Sequence, residues 1–421
     1  KRNTEKALGI AKITDNPKTM KEAIKNLPYE LTKGEGSQEE AIKKIIQKLE
    51  EPTAENLLIS ADTGSGKSTI ASAACLYTVD CGYQACLLGP TEILAKQLYD
   101  TFVKMITPLK DKPVVAYLSG ATKAKEKREI LNAVKNGTVD VLIGTHSILN
   151  VEYNNLGLVV IDEQQKFGAN QREALLDSRK DGRKVDMLSQ TATPIPRTTA
   201  LALYGDVELI TITQKPAGRK ENITQWIKKS SDTFLKEFVS AEWTHIYNEI
   251  EKGHQVFIVT PAVQEKAKSA SVERTAKILT RKFPSLKIEY VHGGLDKNQQ
   301  NKKIEEFRDR KSDVLIASSI IEVGIDIPNA TVMLVLDANR FGASSLHQIR
   351  GRVGRGKDQG YCYLISDADS ENATRRLQSL VDSNDGFDIA MVDLGTRKEG
   401  DIFGVKQSGE STFRFCDLTD I

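Results

Sequence analysis

The sequence predicts an α/β protein made of two successive domains, each a parallel sheet covered by helices. Short apolar runs alternate with amphipathic segments of helix length, and this series occurs twice along the 421 residues. Residues 213–224 lie between the two series and hold Pro, Gly and charge without apolar spacing, which is typical of a linker. A chain of this length also exceeds what one ordinary hydrophobic core accommodates.

The first series contains candidate strands that are continuous apolar runs. Such runs indicate strands buried on both faces of a parallel sheet. Between them, residues 91–106 and 123–136 have the length and periodicity of helices. The strands are predicted at 56–61, 84–89, 114–120, 140–145, 156–163 and 186–192.

The second series repeats this pattern and ends in an unusual glycine-rich stretch. A long helix is predicted at 297–310, between strands of the second sheet. Residues 386–409 keep Phe387, Ile389 and Met391 among charges and glycines, so we expect this stretch to pack rather than to form a polar tail. The strands of this series are predicted at 255–263, 287–293, 313–319, 331–338 and 360–366.

The composition indicates a globular protein without a membrane segment. Hydrophobic residues make up 39% and charged residues 28% of the chain. A net charge of +2 neither requires nor excludes nucleic acid, because a basic groove fits within a balanced total. No apolar run reaches the length of a membrane span or a signal-peptide core. The five cysteines form no CxxC pair, which favours reduced thiols in the cytoplasm over a zinc site.

The stretch ADTGSGKS (61–68) follows a predicted strand and opens a predicted helix, as a phosphate-binding P-loop does. Its glycines allow the backbone to wrap a phosphate chain, and the helix N-terminus faces the anion. Lys67 would supply charge to the β- and γ-phosphates, and Ser68 a hydroxyl to Mg²⁺. An accidental Gly/Ser turn is the alternative. The predicted nucleotide contacts here are Thr63, Gly64, Ser65, Gly66, Lys67, Ser68 and Thr69.

An acidic pair at the end of another predicted strand would complete the catalytic site. VVIDEQQ (159–165) delivers Asp162 and Glu163 to the carboxyl edge of the sheet, where ligands bind in such folds. Asp162 is the candidate to hold Mg²⁺, together with Ser68. Glu163 is the candidate to orient and deprotonate the attacking water. Two solvated acids at a strand end are the alternative.

A basic segment in the second domain could contribute to the same reaction. In HQIRGRVGRG (347–356), the residues Gln348, Arg352 and Arg355 would share one face if the segment were helical. An arginine directed at the γ-phosphate stabilises transition-state charge. A solvated basic helix or a phosphate-backbone contact is the alternative reading.

These motifs, in this order, resemble those of the superfamily-two helicases. The resemblance covers roughly residues 27–421, and its details are most similar to the RecG branch-migration helicases, with the Mfd translocase as a relative. The motifs are ADTGSGKS, PTEILAKQ (90–97), GTH (144–146), DEQQ (162–165), TATPIPRT (191–198), IIEVGIDIPNA (320–330), QIRGRVGR (348–355) and SNDGF (383–387).

The resemblance implies two tandem RecA-like domains that use ATP and Mg²⁺. It assigns ATPase roles to Lys67, Ser68, Asp162, Glu163, Arg352 and Arg355, in agreement with the reading of the residues above, and makes Gln348 a γ-phosphate sensor. Gln38 would read adenine, and the insertion-like KGEGS before it departs from the family pattern. The remaining implied positions are Gly324 and Asp326 for nucleotide, and Thr191 and Thr193 for coupling hydrolysis to domain movement.

The resemblance also implies a track for nucleic acid, expected at strand ends on the opposite side of each domain. Short hydroxyls and main-chain amides suit phosphate oxygens without reading bases. A turn, a helix cap or a structural histidine is the alternative at each position. The implied contacts are Thr91, Thr145, His146, Thr260, His292, Gly293 and Ser318.

The C-terminal region resembles the translocation motif that RecG and Mfd share. Residues 371–385 and 387–397 would form a helical hairpin, followed by a returning hook. Arg397 and Gln407 match the residues that link domain closure to movement on duplex DNA. The expected domains are an N-terminal extension at 1–26, RecA-like domains at 27–214 and 215–368, and the hairpin and hook at 369–421. A packed C-terminal extension is the alternative.

Three features depart from the RecG pattern. Gln165 stands where the family has histidine, and Lys398 follows Arg397 where the family has glycine. Only about 26 residues precede LPYELT, whereas RecG proteins carry a sizeable wedge domain there. Either the chain is a shortened form, or a protein partner supplies the wedge, or strand separation works differently.

The expected function is an ATP-dependent helicase or translocase that remodels branched DNA such as forks, D-loops, R-loops and four-way junctions. The expected partner is branched or duplex DNA, with no membrane. A cytoplasmic monomer is expected, in a bacterial cytosol or in the host cytosol if the protein is viral. Two alternatives stay open, an RNA helicase of the same superfamily and an ATP-gated DNA clamp that does not translocate.

Overall fold

The computed structural model describes residues 7–163, 167, 176, 179, 181–191, 207–216, 220–261, 271–318, 327 and 329–396. The chain divides into two compact units, Lys1–Pro216 and Ala217–Ile421. Each unit contains one sheet whose strands pair in parallel, with helices between them. The predicted α/β class with two tandem parallel-sheet domains is therefore confirmed.

The described part of the first unit holds a seven-stranded sheet with the spatial order β3-β4-β2-β5-β6-β1-β7. Its central strands are almost entirely buried, as expected for a parallel sheet covered on both faces. The strands are β1 (Asn56–Ala61), β2 (Gln84–Leu88), β3 (Val115–Leu118), β4 (Val141–Gly144), β5 (Leu156–Asp162), β6 (Asp186–Thr191) and β7 (Glu208–Ile212).

The helices of the first unit begin where the sequence supplies capping groups. The Ser37 hydroxyl accepts from the Glu40 amide, and the Thr91 hydroxyl accepts from the Leu94 amide. The described helices are α1 (Lys18–Lys25), α2 (Gln38–Leu49), α3 (Lys67–Asp80), α4 (Glu92–Ile106) and α5 (Ala124–Lys135), with a 3-10 turn at His146–Ile148.

An amino-terminal strap, residues 7–12, lies along the amino edge of the first sheet. The Gly9 amide donates to the Pro52 carbonyl and the Lys12 amide to the Leu49 carbonyl, each at 2.9 Å. The Lys12 ammonium is fully buried and pairs with Asp186 at the start of β6. Asp186 also accepts from the Glu55 amide at 2.7 Å. The strap is therefore part of the first unit.

The described part of the second unit holds a six-stranded parallel sheet with the order β10-β11-β9-β12-β13-β8. Strands β9, β11 and β12 are fully buried along their length. The strands are β8 (Ile223–Ile227), β9 (Gln255–Thr260), β10 (Ile288–Val291), β11 (Val314–Ser318), β12 (Ala330–Val335) and β13 (Tyr361–Ile365).

The helices of the second unit pack against this sheet and continue into a C-terminal pair. An aromatic cluster around Trp243 and Phe283 lies under the helices on one face. The described helices are α6 (Ser231–Phe234), α7 (Ala241–Glu251), α8 (Val272–Lys282), α9 (Lys297–Arg308), α10 (Ala343–Arg350), α11 (Glu371–Asp382) and α12 (Gly386–Thr396), with a 3-10 turn at Ala338–Arg340.

The two C-terminal helices match the arms predicted for the hairpin at 371–385 and 387–397. In the turn between them, the Ser383 hydroxyl donates to Asp388 at 3.0 Å. Ile389 and Ala390 of α12 are buried. Met391 was also expected to pack inside, and this is wrong, because its side chain is 54% exposed. The predicted hook lies outside the described residues.

The eleven strands predicted from sequence all form, with ends that differ by at most three residues. Strands β7 and β8 were missed. Each is an edge strand whose sequence, ELITI or ITQWI, contains polar or charged residues, so neither shows the continuous apolar run used to identify the others. The start of β8 lies within the predicted linker 213–224. No helix among the described residues is long and apolar enough to cross a membrane.

Candidate functional site

The P-loop connects β1 to α3, as the sequence predicts. Gly64 and Gly66 have φ of 74° and 84°, a left-handed conformation that glycine adopts without strain. Lys67 is the first residue of α3, and its ammonium donates to the Ala61 and Asp62 carbonyls at 3.0 and 2.8 Å. The amino-terminal end of α3 and the Lys67 ammonium therefore both lie at this loop, which suits a phosphate chain.

The residues present fit a nucleotide with Mg²⁺. The buried hydroxyl of Ser65 has no hydrogen-bond partner within the part of the chain that the structure describes. Ser68 lies one position into α3, where its hydroxyl could reach a metal held on phosphate oxygens. Among the described residues, no three His, Cys, Asp or Glu side chains form a metal cluster. An ion here would therefore depend on the phosphates as well as on Ser68 and Asp162.

A buried glutamine joins the P-loop helix to the acidic pair. Strand β6 lies between β5, which ends at Asp162, and β1, which leads into the P-loop. Gln190 on β6 is 1% exposed, and its side-chain amide donates to the Lys67 carbonyl at 3.2 Å. The main-chain carbonyl of Gln190 accepts from the Glu163 amide at 3.0 Å. Gln190 therefore fixes the position of Glu163 relative to the start of α3.

Glu163 itself adopts a strained backbone conformation. Its φ is +53°, in the left-handed region that residues with a side chain rarely occupy. Such strain persists only where the surroundings impose it, and it is concentrated at functional sites. The hydrogen bond to Gln190 is one such constraint. This conformation changes the direction of the backbone at Glu163, immediately after β5 ends.

Gln38 lies against the P-loop. It is fully buried, and its Nε2 donates to the Ser65 carbonyl at 2.9 Å while its Oε1 accepts from the Thr32 amide at 3.1 Å. A Cβ on Gly66 would come within 2.1 Å of Gln38 Nε2, so this glycine permits the contact. The side-chain amide retains one proton and one lone pair beyond these bonds. Reading of adenine by Gln38 stays a proposal.

The arginines of the second unit do not share a helical face. Helix α10 ends at Arg350, and Gln348 lies in its last turn. The spacing of four and three residues would place Gln348, Arg352 and Arg355 on one face only in a continuous helix. The helix ends before Gly351, so the three residues do not share a helical face. Arg352 follows in a turn, and the Arg355 Nε donates back to the Gly351 carbonyl at 2.8 Å.

The turn that carries these arginines is held by an asparagine at the beginning of the unit. Asn222 Nδ2 donates to the Arg350 carbonyl at 2.8 Å and to the Val353 carbonyl at 3.3 Å. Gly354 has φ of +65°, and a Cβ there would lie 2.3 Å from Asn222 Oδ1. The hydrogen bonds from Asn222 and the close approach at Gly354 therefore fix the backbone conformation of the arginine turn.

Arg350 and Asp393 join α10 to the C-terminal hairpin. The Arg350 side chain is 2% exposed, and its Nη1 donates to the Leu380 and Ser383 carbonyls at 2.7 and 2.9 Å. At the other end of α10, the Asp393 carboxylate accepts from Ser344. The helix that leads to the arginine turn is thus bonded at both ends to the hairpin.

In the first unit, the candidate nucleic-acid contacts follow β2 and β4. Thr91 caps α4, while Thr145 precedes the exposed His146, whose ring stacks on Phe167 at 4.7 Å between ring centroids. The described strands of this sheet pair in parallel, so these residues and the P-loop share the carboxyl edge. The expected placement at strand ends on the opposite side is corrected. The two sets occupy opposite halves of one edge.

In the second unit, two buried hydroxyls mark the same kind of edge. Thr260 ends β9 and Ser318 ends β11, and the two are direct register partners. Neither hydroxyl has a hydrogen-bond partner among the residues that the structure describes. His292, after β10, pairs with Glu273 at 3.4 Å and accepts from the Gly294 amide; Gly293 beside it is exposed. Buried hydroxyls are usually hydrogen-bonded, so these two are candidates to bind a ligand or a water molecule.

Several predicted site residues fall outside the described part of the chain. Thr191 is described, as the buried last residue of β6. The predicted site residues outside the described part are Thr193, Gly324, Asp326, Arg397 and Gln407, and the divergent Gln165 and Lys398 also lie there.

Sequence reasoning missed the residues that position the motifs. Each is polar, and Gln190, Arg350 and Asp393 are buried within otherwise apolar surroundings. A polar residue at a predicted core position was the available signal, because such groups are retained only with hydrogen-bond partners. Asn222, beside the linker, gave no such signal.

Two family models match the chain. One is described as DEAD/DEAH box helicase and matches residues 36–201, which contain the P-loop and the acidic pair. The other is described as Helicase conserved C-terminal domain and matches residues 239–357, which contain α10 and the arginine turn. Each model therefore matches one unit, over the region that holds its candidate site.

Individual relatives cover nearly all of this chain. The ATP-dependent DNA helicase RecG of Streptococcus pneumoniae is 38% identical over 400 residues, 94% of this chain and 57% of that protein. RecG of Thermotoga maritima is 40% identical over 99% of this chain and 52% of that protein. A structure of RecG bound to a three-way DNA junction matches at 36% identity and a TM-score of 0.78, over 97% of this chain and 52% of that one. The chain spans about half the length of these relatives.

Proposed function

We propose that this chain, which is homologous to the RecG helicases over almost all of its length, is the motor of an ATP-dependent DNA helicase that remodels branched DNA. The observation that carries the proposal is the Gln190 bridge, which joins the P-loop helix to the turn bearing Glu163. This arrangement is suited to hydrolysis, because a water-positioning carboxylate must be fixed relative to the phosphate-binding loop.

The hydrolytic roles follow from the positions of the side chains. The P-loop amides and Lys67 would bind the β- and γ-phosphates, and Glu163 would orient the attacking water. Mg²⁺, when bound, would neutralise charge on the phosphate oxygens, and Ser68 and Asp162 are the residues that would hold it. Arg352 and Arg355 would stabilise the charge that develops on the transferred phosphoryl group.

Coupling to movement would run through α10. Its C-terminal end leads to the arginine turn, and Arg350 and Asp393 bond it to the hairpin. A displacement of the arginine turn would therefore act on α11 and α12 through direct hydrogen bonds. This favours a translocase over a clamp that binds DNA without moving. Thr191, Thr193, Arg397 and Gln407 remain proposed members of this coupling path.

Branched DNA is the proposed substrate. A relative of 36% identity has been solved with a three-way DNA junction, which supports this choice over RNA. The unpartnered Thr260 and Ser318 hydroxyls are suited to phosphate oxygens, which they could contact without reading sequence.

The proposed setting is a monomer in the cytoplasm. The cysteines at positions 75, 81, 86 and 362, all within the described residues, are free thiols. Free buried thiols are usual where glutathione and thioredoxin keep cysteines reduced. Sedimentation of the protein with and without junction DNA would test the monomeric state.

The decisive experiment compares ATP turnover with no nucleic acid, a three-way DNA junction, linear duplex DNA and structured RNA. We expect the junction to stimulate turnover most, and Lys67→Ala to abolish turnover while leaving junction binding largely intact. Stimulation by RNA well above that by DNA would favour the RNA helicase. Turnover without displacement of a triplex-forming strand would favour the clamp. No stimulation by any DNA would contradict the proposal.

A further inference from the structure

The segment that leaves the first unit is bound to the loop before Gln38. We call residues 213–215 the exit segment and residues 33–36 the clasp loop. The amides of Thr213 and Gln214 donate to the Gly36 carbonyl at 3.1 and 3.2 Å. In return, Gln214 Nε2 donates to the Lys33 and Glu35 carbonyls at 3.1 and 2.9 Å. Four hydrogen bonds therefore connect two segments that lie about 180 residues apart in sequence.

The close approach depends on Gly36. Its φ is +67°, and a Cβ on this residue would lie 2.1 Å from the Thr213 hydroxyl oxygen. A side chain here would therefore both strain the loop and push the exit segment away. The Gly36 amide is held in turn by the Glu40 carboxylate at 2.7 Å, in the first turn of α2.

The clasp loop continues directly into the P-loop contacts. Gln38, two residues after Gly36, donates to the Ser65 carbonyl and accepts from the Thr32 amide. Thr32 thus closes the clasp loop from its other side, since its hydroxyl also accepts from the Gln38 amide at 2.9 Å. Ser65 is therefore connected to the exit segment through the Gln38 side chain, the clasp-loop backbone and the hydrogen bonds of that loop.

A second connection is ionic. The Lys215 ammonium lies 3.5 Å from Asp62, which precedes the P-loop glycines. Asp62 is 8% exposed, and its Oδ1 accepts from the Thr63 amide. The exit segment is therefore connected to the P-loop at two points, directly at Asp62 through Lys215 and indirectly at Ser65 through the clasp loop and Gln38.

We propose that Gly36, Gln214 and Lys215 are positioning residues for nucleotide binding, and that the exit segment reports nucleotide occupancy of the P-loop. This inference rests on the proposed ATP site. Because phosphates draw in the P-loop amides, binding should order Ser65 and Asp62 and so tighten the contacts that hold the exit segment. By reciprocity, complete opening of the clasp would weaken nucleotide binding by the factor by which nucleotide favours the closed clasp. The chain leaving the first unit would thereby respond to ATP directly.

Hydrogen exchange of the Thr213 and Gln214 amides tests the first half of the proposal. With saturating AMP-PNP and Mg²⁺, we expect exchange in the peptide covering 207–216 to slow about five-fold or more, the lower range of measured couplings. The Lys67→Ala variant should show no such slowing. Unchanged exchange in a wild-type protein that binds AMP-PNP would overturn the clasp while leaving the proposed function intact. Failure of AMP-PNP to bind at all would overturn both.

Affinity measurements test the reciprocal half. Gln214→Ala and Gly36→Ala should each raise the Kd for AMP-PNP, by at most the factor by which nucleotide slows exchange in the wild type, with kcat little changed. Gly82→Ala is the matched control, because Gly82 has φ of +81° and a Cβ added there would meet no atom within 4 Å. Combining Gln214→Ala with Gln38→Ala should be non-additive. Lys215→Arg should keep the affinity that Lys215→Met loses.

Two outcomes of the affinity measurements would contradict the proposal. If Gln214→Ala and Gly36→Ala match Gly82→Ala in Kd, the clasp does not position the P-loop. If both variants lose affinity together with thermal stability, and Gln214→Ala adds fully to Gln38→Ala, the contacts are only structural. Either result would overturn the proposal without affecting the assignment of Lys67.

Discussion

Asp393 accepts a hydrogen bond from Ser344, with 2.7 Å between Oδ2 and Oγ, and so connects the last helix of the described chain to the first turn of α10. Its other oxygen accepts from the Ala343 amide at 3.1 Å. A carboxylate at this position satisfies an unpaired amide and interacts favourably with the helix dipole. These two hydrogen bonds connect α12 directly to α10, the helix that leads to the arginine turn.

Asp393→Ala should impair DNA unwinding more than ATP turnover. Loss of a helix cap costs about 0.5–2 kcal/mol, so α10 should remain folded while its connection to α12 weakens. Rates of junction unwinding and of DNA-stimulated hydrolysis, measured on the same preparation, check this. Asp382→Ala is the control, because Asp382 is an exposed acid on α11. An equal fall in both rates would indicate that Asp393 only stabilises the fold.

Gln190→Ala should lower kcat for ATP hydrolysis by about 10- to 100-fold, the effect of a catalytic group displaced by roughly 1 Å. The variant loses the side-chain bond to Lys67, so the P-loop helix is no longer fixed to the strand that holds Glu163. Ser189→Ala is the matched control, since the neighbouring hydroxyl is equally buried and has no partner in the described chain. Steady-state ATPase assays would contradict the prediction if the two variants behaved alike.

Thr260→Val and Ser318→Ala should each weaken junction binding by about 2- to 12-fold, which corresponds to one neutral hydrogen bond of 0.5–1.5 kcal/mol. The salt dependence of binding should stay unchanged, because neither substitution removes a charge that releases counterions. Thr275→Val provides the control, as the Thr275 hydroxyl is also buried and without a partner among the described residues. Fluorescence anisotropy over a salt series measures both quantities. Equal losses in all three variants would argue against phosphate contacts at the strand ends.

Glu249→Gln should destabilise the second unit in a pH-dependent way. Burial raises the pKa of Glu249, but hydrogen bonds from Lys252, Thr331 and His254 outweigh it and lower the pKa to about 2. A depressed carboxyl pKa stabilises the fold above the unfolded pKa of about 4.3, and this stabilisation is lost as pH falls toward 2. Urea denaturation at pH 7 should show a loss of about 1–3 kcal/mol. A difference that persists undiminished toward pH 3 would be inconsistent with this account.

The sequence predicted the fold and the main motifs because both depend on local patterns. Buried parallel strands are continuous apolar runs, and the P-loop requires glycines and a lysine at fixed spacing. Strands β7 and β8 were missed because polar or charged residues interrupt their short apolar runs. The prediction that Arg352 and Arg355 lie on a helix was wrong, because α10 ends before Gly351. Asn222 donates to the Arg350 carbonyl at this helix end.

The connections between motifs were beyond sequence reasoning. Gln190 contacts Lys67, which lies 123 residues earlier, and Gln214 contacts the clasp loop about 180 residues earlier. Such pairs become neighbours only through the strand order of the sheet, and nothing in local composition reveals them. The placement of the track residues was misjudged for the same reason, since only the sheet direction shows that they share an edge with the P-loop.

The Lys12–Asp186 pair has a consequence for the order in which the chain folds during synthesis. Lys12 leaves the ribosome 174 residues before its partner, an interval of about 9–35 s at 5–20 residues per second. The strap can bond to Leu49 and Pro52 early, but its ammonium must stay hydrated until β6 emerges. Burying an unpaired charge is costly, so closure of the amino edge waits for the strand that carries Gln190. The ion pair thus favours completion of the first sheet before its edge is sealed.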